Sequence, residues 1–306
     1  MTSEDPEVSR SLSSTTDRRA SSRGADLIRL ARPHHWIKNG FILIPLPFAV
    51  AAGAQLNGGT IALGFVGFSL LASASYVFND VRDAERDRQH PRKRNRPVAA
   101  GRIGDRWALI FSVLLASLGI GLLGLTALGA AIGLGLVYLG INLVYSSFGK
   151  HIGVVDVTLL AIGFLVRVVF GCALVRVAPS GWLVGCTSTM ALFLALTKRR
   201  ADLVAGLDVE HRPSLAHYSI RGIDIALAAV SMVAIVTYVL YCFDSPVFRE
   251  GRELASAPFV LLGFLNDFRL IRKSPEMTPV ERVYRQPTHF LILCGWAASV
   301  GWSLIR

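Results

Sequence analysis

WALIFSVLLASLGIGLLGLTALGAAIGLGLVYLGINLVYSSFG, residues 107–149, is a run of 43 residues without Asp, Glu, Lys or Arg. As α-helix at roughly 1.5 Å per residue it extends about 65 Å, twice the ~30 Å hydrocarbon thickness of a bilayer. It therefore reads as two membrane crossings joined by a short turn. The rest of the 306-residue chain agrees, with 52% hydrophobic and 17% charged residues against about 25% charged in average soluble proteins. An ordinary soluble domain is excluded. The 28 glycines and 13 prolines follow no G-x-y period, so a collagen-like or low-complexity chain is excluded too.

Outward from this run, apolar stretches of spanning length number nine, near residues 39–55, 60–78, 107–126, 129–147, 153–174, 181–197, 223–242, 255–270 and 287–304. The expected fold class is all-α, a polytopic membrane protein with nine transmembrane helices. If alternate connections lie on alternate sides, one side carries 27 of the 32 Lys and Arg residues. The other carries only Arg176, Arg249, Arg252 and Arg306, and Arg167 falls inside a span. The positive-inside rule then places the amino terminus in the cytoplasm and the carboxyl terminus outside, in a multi-pass plasma-membrane protein. The net charge of +11 follows from topology and needs no nucleic-acid partner. Residues 1–24, polar and poor in large apolar side chains, read as a disordered cytoplasmic tail ahead of one membrane domain, 25–306. Cys172, Cys186, Cys242 and Cys294 are dispersed in apolar spans and suggest neither disulfide nor zinc.

The second span ends in Tyr76-Val77-Phe78-Asn79-Asp80-Val81-Arg82-Asp83-Ala84-Glu85-Arg86-Asp87. Asn79, Asp80, Asp83 and Asp87 share a face if the helix continues. Crowded carboxylates repel one another unless a cation lies between them, and an all-oxygen set suits Mg²⁺ bridging to substrate phosphates. A solvated helix end neutralised by Arg82, Arg86 and Arg88 is the plainer alternative. The membrane helix before the acids and the cationic run His90-Pro91-Arg92-Lys93-Arg94-Asn95-Arg96-Pro97 after them favour a metal-bridged polyphosphate.

The pattern N-D-x-x-D-x-x-x-D after a second span, followed by K-R-x-R-P-x-A-x-G from Lys93 to Gly101, resembles the UbiA superfamily of intramembrane transferases. Within it, Arg32-Pro33-His34-His35-Trp36-Ile37-Lys38-Asn39, Tyr145-Ser146-Ser147-Phe148-Gly149-Lys150-His151 and Thr197-Lys198-Arg199-Arg200-Ala201-Asp202-Leu203 resemble the branch that transfers phosphoribosyl groups to polyprenyl (decaprenyl) phosphates. The resemblance covers roughly residues 29–220. It implies nine helices around a polar cavity facing the cytoplasm, with phosphoribosyl pyrophosphate as donor, a polyprenyl phosphate lipid as acceptor, and a product that feeds cell-wall arabinan synthesis. It further implies Mg²⁺ on Asn79, Asp80, Asp83 and Asp87, catalytic roles for Asp80, Asp83 and Asp202, and substrate contacts from Lys38, Tyr76, Arg82, Lys93, Arg94, Tyr145, Lys150, Asp156, Lys198 and Arg199. One departure is informative. Members that use prenyl diphosphates carry a second D-x-x-x-D after the sixth span, whereas here Asp202 stands beside three cations and Gly206 occupies the fourth place beyond it. Asp208 is a partial substitute if the loop folds back.

Asp156 and Arg167 lie in one span, eleven residues apart, only about 20° from a common face but ~16 Å apart along the axis. Each therefore needs its own partner; Asp156 is a candidate border of the pocket, and Arg167 faces a cavity or links to another helix. Trp36 reads as an interfacial anchor, and Asn266-Asp267-Phe268-Arg269 as a faint echo of Asn79-Asp80-Val81-Arg82. His217 and Tyr218 sit in a polar loop that either closes over substrate or is simply solvated. Two rival functions stay open: a prenyltransferase of the same fold acting on an aromatic or haem-like acceptor, and a transporter for a phosphorylated solute. Association of copies is neither required nor excluded by the sequence.

Overall fold

The computed structural model describes residues 23–89, 93–206 and 213–305. Residues 1–22, His90, Pro91, Arg92 and the loop holding Asp208 and His211 lie outside the described residues. A first helix, α1 (Arg23–Ala31), begins two residues inside the stretch expected to be tail.

In lipid every backbone N–H and C=O must be paired within its own segment, so the apolar stretches fold as helices. Among the described residues six are long and apolar enough to cross a bilayer: α3 (Gly58–Gln89), α4 (Asp105–Leu125), α5 (Gly129–Ser147), α6 (Gly153–Leu174), α7 (Gly181–Val204) and α8 (Ile220–Asp244). The opening 43-residue run is thus α4 and α5, which turn at Ala127, a residue with φ of 54°. The other three expected spans are built differently. The first is a 3₁₀ segment (Pro33–Leu43) running into the short α2 (Pro45–Ala51). Pro45 and Pro47 lack the N–H that an α-helix interior requires, so both sit in the first turn of a new helix. The last two are α9 (Ala257–Lys273), of 17 residues, and α11 (Pro287–Leu304), of 18, each shorter than any of the six. The seven-residue α10 (Pro279–Arg285) joins them.

Neighbours in sequence pack as neighbours in space from α3 through α9, and α11 closes the ring between α9 and α2. Small residues set the closest approaches. Gly67 of α3 and Gly119 of α4 face each other so tightly that a Cβ on either would press on the other's carbonyl oxygen. Likewise a Cβ on Gly171 of α6 would overlap the carbonyl oxygen of Ile42. Without a hydrophobic drive between helices in lipid, this close backbone contact supplies van der Waals attraction instead. Phe68, Leu71, Tyr138 and Phe170 fill one core, and Phe193, Leu227 and Phe264 another. Leu114, Leu118, Leu136 and Val137 point outward from α4 and α5, as a lipid-facing surface demands.

The ring encloses a cavity of about 1040 Å³. At 32 residues α3 is about 48 Å long, so its charged last three turns extend beyond the apolar part and form one rim of that cavity.

Candidate active site

The rim is built first by α3. At 100° per residue, Tyr76, Asn79, Asp83, Arg86 and Asp87 fall within one face, and all five line the cavity. Asp80 lies at the edge of that face and is buried beneath it. Arg82 is a full 100° from Asp83 and is exposed, outside the cavity lining; Arg94 is exposed as well. Neither of these two expected substrate contacts joins the site.

The carboxylates are matched by cations from three other segments. Arg32, which ends α1 in the left-handed region with φ of 52°, donates from Nη2 to Asp80 Oδ1 at 2.5 Å. Arg96 Nη1 bridges Asp80 Oδ1 at 2.9 Å and Asp87 Oδ2 at 2.6 Å. Lys93 stands 3.9 Å from Asp87, and Lys150 pairs with Asp83. Asn79 donates to Asp83 Oδ2 at 3.0 Å, fixing that carboxylate from its own helix. Tyr76 presents its ring to both Arg32 and Lys38, at 5.7 and 5.9 Å. His35 stacks edge-on against the same ring.

The opposite wall comes from α7, where Lys198 and Asp202 line the cavity together with Tyr145 of α5. Arg199 lies under them, fully buried: its Nε pairs with Asp156 at 3.0 Å, its Nη1 donates to Asp202 Oδ2 at 2.5 Å, and its Nη2 reaches Tyr145 at 3.5 Å. Ser214 donates to Asp156 Oδ2 at 3.0 Å. Asp156 and Arg199 are thus both at 0% side-chain exposure and outside the cavity lining. Arg199 thus holds Asp202 and Tyr145 from outside the cavity lining, and Asp156 holds Arg199. Tyr218 donates to the Gly153 carbonyl, which ties it to α6, and neither His217 nor Tyr218 lines the cavity.

Arg32, Arg96 and Asp267 stand at this site without having been foreseen as site residues. Arg32 and Arg96 belong to segments whose motifs were noted, yet nothing in their spacing tells which cation reaches Asp80. Asp267, in the faint echo on α9, lines the cavity and is held by the buried Arg282 at 3.0 Å. Burial drives the Arg282 pKa down and Asp267 pulls it back. Trp36, read from the sequence as an interfacial anchor, donates to Ser73 at 3.0 Å and so links the 3₁₀ segment to α3.

Among the described residues no three His, Cys, Asp or Glu side chains converge as a ready metal cage; the carboxylates meet cations in pairs. The donor set still fits a hard divalent ion. All its ligands are oxygen, and a single Arg96 nitrogen lies between Asp80 and Asp87 within hydrogen-bond distance of both, so the two carboxylates are spaced to share one cation.

A ring of membrane helices whose rim gathers carboxylates and cations above an apolar cavity defines an intramembrane transferase, and the chain belongs to the UbiA prenyltransferase family, whose signature matches residues 41–282. In sequence it is similar to the decaprenyl-phosphate phosphoribosyltransferase of Corynebacterium glutamicum, 34% identical over 71% of this chain and 67% of that protein. The Mycobacterium tuberculosis protein of the same name is 29% identical over 90% and 93%. In fold it is similar to a UbiA homolog from Archaeoglobus fulgidus, solved bound to DMAPP and Mg²⁺, with a TM-score of 0.71, 16% identity, and coverage of 92% and 99%.

Proposed function

We propose that this protein transfers a phosphoribosyl group from phosphoribosyl pyrophosphate to the phosphate of a long polyprenyl phosphate, releasing pyrophosphate and supplying a precursor of cell-wall arabinan. The observation that carries this reading is the pairing of Arg199 with Asp202 and Asp156. The lone carboxylate of the second rim is spent on a cation, and Lys198 stands beside it. This suits a donor with an extra phosphate, and the similarity to phosphoribosyltransferases points the same way.

The acceptor phosphate, with a second pKa near ~6, is largely dianionic at neutral pH, so no general base is needed. One of its oxygens forms a bond to the ribose C1 as the bond from C1 to pyrophosphate breaks, the electron pair leaving with pyrophosphate. Mg²⁺ held by Asn79, Asp80, Asp83 and Asp87 would neutralise the diphosphate and stabilise the leaving group. Lys93, Lys150 and Lys198 bind phosphate oxygens, and Asp83 or Asp202 stabilises the positive charge that develops on the sugar. Enclosure by the ring keeps out water, which would hydrolyse the activated sugar. In this reading residues 25–306 act as one unit, the 3₁₀ segment with α2, α9 and α11 complete nine crossings, and the rim faces the cytoplasm.

Purified protein given labelled phosphoribosyl pyrophosphate, polyprenyl phosphate and Mg²⁺ should yield a lipid-soluble labelled product, identified by mass spectrometry. Absence of label in the lipid fraction would refute the reading. Asp80→Asn should lower Mg²⁺-dependent turnover by roughly 10²-fold or more while the fold persists; unchanged turnover would remove Asp80 from the metal site.

A further inference from the structure

Well inside the apolar part of α6, Arg167 is only 5% exposed. Its Nε donates to Asn39 Oδ1 at 2.9 Å, its Nη1 to the Gly163 carbonyl at 2.7 Å, and its Nη2 to the Tyr138 hydroxyl at 2.9 Å. The rings of Tyr138, Phe164 and Phe68 surround it at 4.8, 5.4 and 5.7 Å. Every one of these partners is neutral. No carboxylate pairs with Arg167 among the described residues, whereas Asp80, Asp83, Asp87 and Asp202 each have a cation. A guanidinium carries five N–H groups, and those three bonds use three of them. One N–H on each terminal nitrogen is left, and Arg167 lines the cavity.

Lys38 adds a second positive charge. It precedes Asn39, which Arg167 holds; it lines the same cavity and makes no ion pair among the described residues. Two like charges in a low-dielectric site are costly unless an anion joins them. That anion is phosphate-like, because two cations without a carboxylate match a dianion. Phe41, Ile44, Phe48, Leu160 and Phe164 line the cavity nearby, an apolar wall that a free sugar phosphate would not use. Tyr76, whose ring meets both Lys38 and Arg32, joins this region to the Asp80 rim.

We propose that Arg167 and Lys38 form the subsite for the acceptor's phosphate, with the apolar wall receiving the isoprene units next to it. The inference rests on the transferase reading above and assigns to that reaction a second anion site, distinct from the carboxylate rim that takes the donor.

The test is binding, which does not depend on turnover. Thermal stabilisation of the purified protein is measured with polyprenyl phosphate, the uncharged polyprenol, inorganic phosphate and Mg²⁺ with phosphoribosyl pyrophosphate. The expected result is stabilisation by polyprenyl phosphate and not by polyprenol, with affinity lowered about tenfold or more in Arg167→Met and in Lys38→Met. Donor affinity should stay within about threefold in both, and Arg167→Lys should restore part of the lipid-phosphate response. Undiminished lipid-phosphate affinity in Arg167→Met overturns the proposal, as does an equal loss of donor and acceptor affinity. Equal stabilisation by inorganic phosphate, lost in Arg167→Met, would make this a free-anion site and also overturn it. If Arg167→Met does not fold, Arg167→Lys and Lys38→Met carry the test. Loss of lipid-phosphate binding in the variants, with no product lipid from the wild type, would sink the transferase reading and leave the subsite standing.

Discussion

Arg96 shows how much of the site depends on a single side chain. Its guanidinium joins Asp80 and Asp87, two buried carboxylates seven residues apart on α3. Charge-assisted bonds of this kind are about twice as strong as neutral ones, and a buried carboxylate that loses its cation is costly. Arg96→Met should therefore raise the KM for the phosphoribosyl donor about tenfold or more while that for the acceptor changes little; a donor KM equal to that of the wild type would remove Arg96 from the donor site. The acids themselves were legible in the sequence, because helical periodicity alone puts Asn79, Asp83 and Asp87 on one face. Their cations were not. Arg32, Arg94 and Arg96 are equivalent as letters, and which of them reaches a carboxylate is decided by the left-handed turn at Arg32 and by the short 3₁₀ turn at Lys93–Asn95.

At the level of elements, apolar length located the six long helices, since lipid leaves the backbone no other solution. It failed for the first span, where apolar residues continue but the prolines break α-helical pairing, and the chain becomes a 3₁₀ segment lying on α6. Gly171 makes that contact possible. Gly171→Ala should cost on the order of 1–3 kcal/mol through overpacking, seen as a lower Tm in detergent. Gly121→Ala on α4, which meets open space, serves as the control and should leave Tm level or slightly raised. A matching Tm for the two variants would mean that the close approach at Ile42 contributes nothing. The Asp156–Arg199 pair between α6 and α7 is a second such joint. Asp156→Ala should lower stability by roughly 3–5 kcal/mol, and Asp156→Leu combined with Arg199→Leu by clearly less, because the double change leaves no buried charge alone. Equal losses would argue against a paired role. The spacing of residues 156 and 167 correctly implied separate partners for each; who those partners are depends on how the helices meet around the ring.

For the whole molecule, the cations sort the connections into a rich side and a poor side, and this predicts orientation. A reporter enzyme active only outside the cytoplasm should be active when fused after Ile305 and inactive when fused before α1; the reverse would invert the molecule. The rim of α3 and the loop after α7 share the cation-rich side, so the proposed chemistry and the orientation stand or fall separately and can be measured separately. A cavity of about 1040 Å³ lies at the upper end of the ~300–1,000 Å³ usual for one small ligand. On the proposed assignment, with the donor at the Arg96 rim and the acceptor phosphate at Arg167, both substrates are bound before either reacts. Initial-rate plots against one substrate at several fixed levels of the other should then intersect rather than run parallel, because the sugar passes directly from one phosphate to the next and is never carried by the protein.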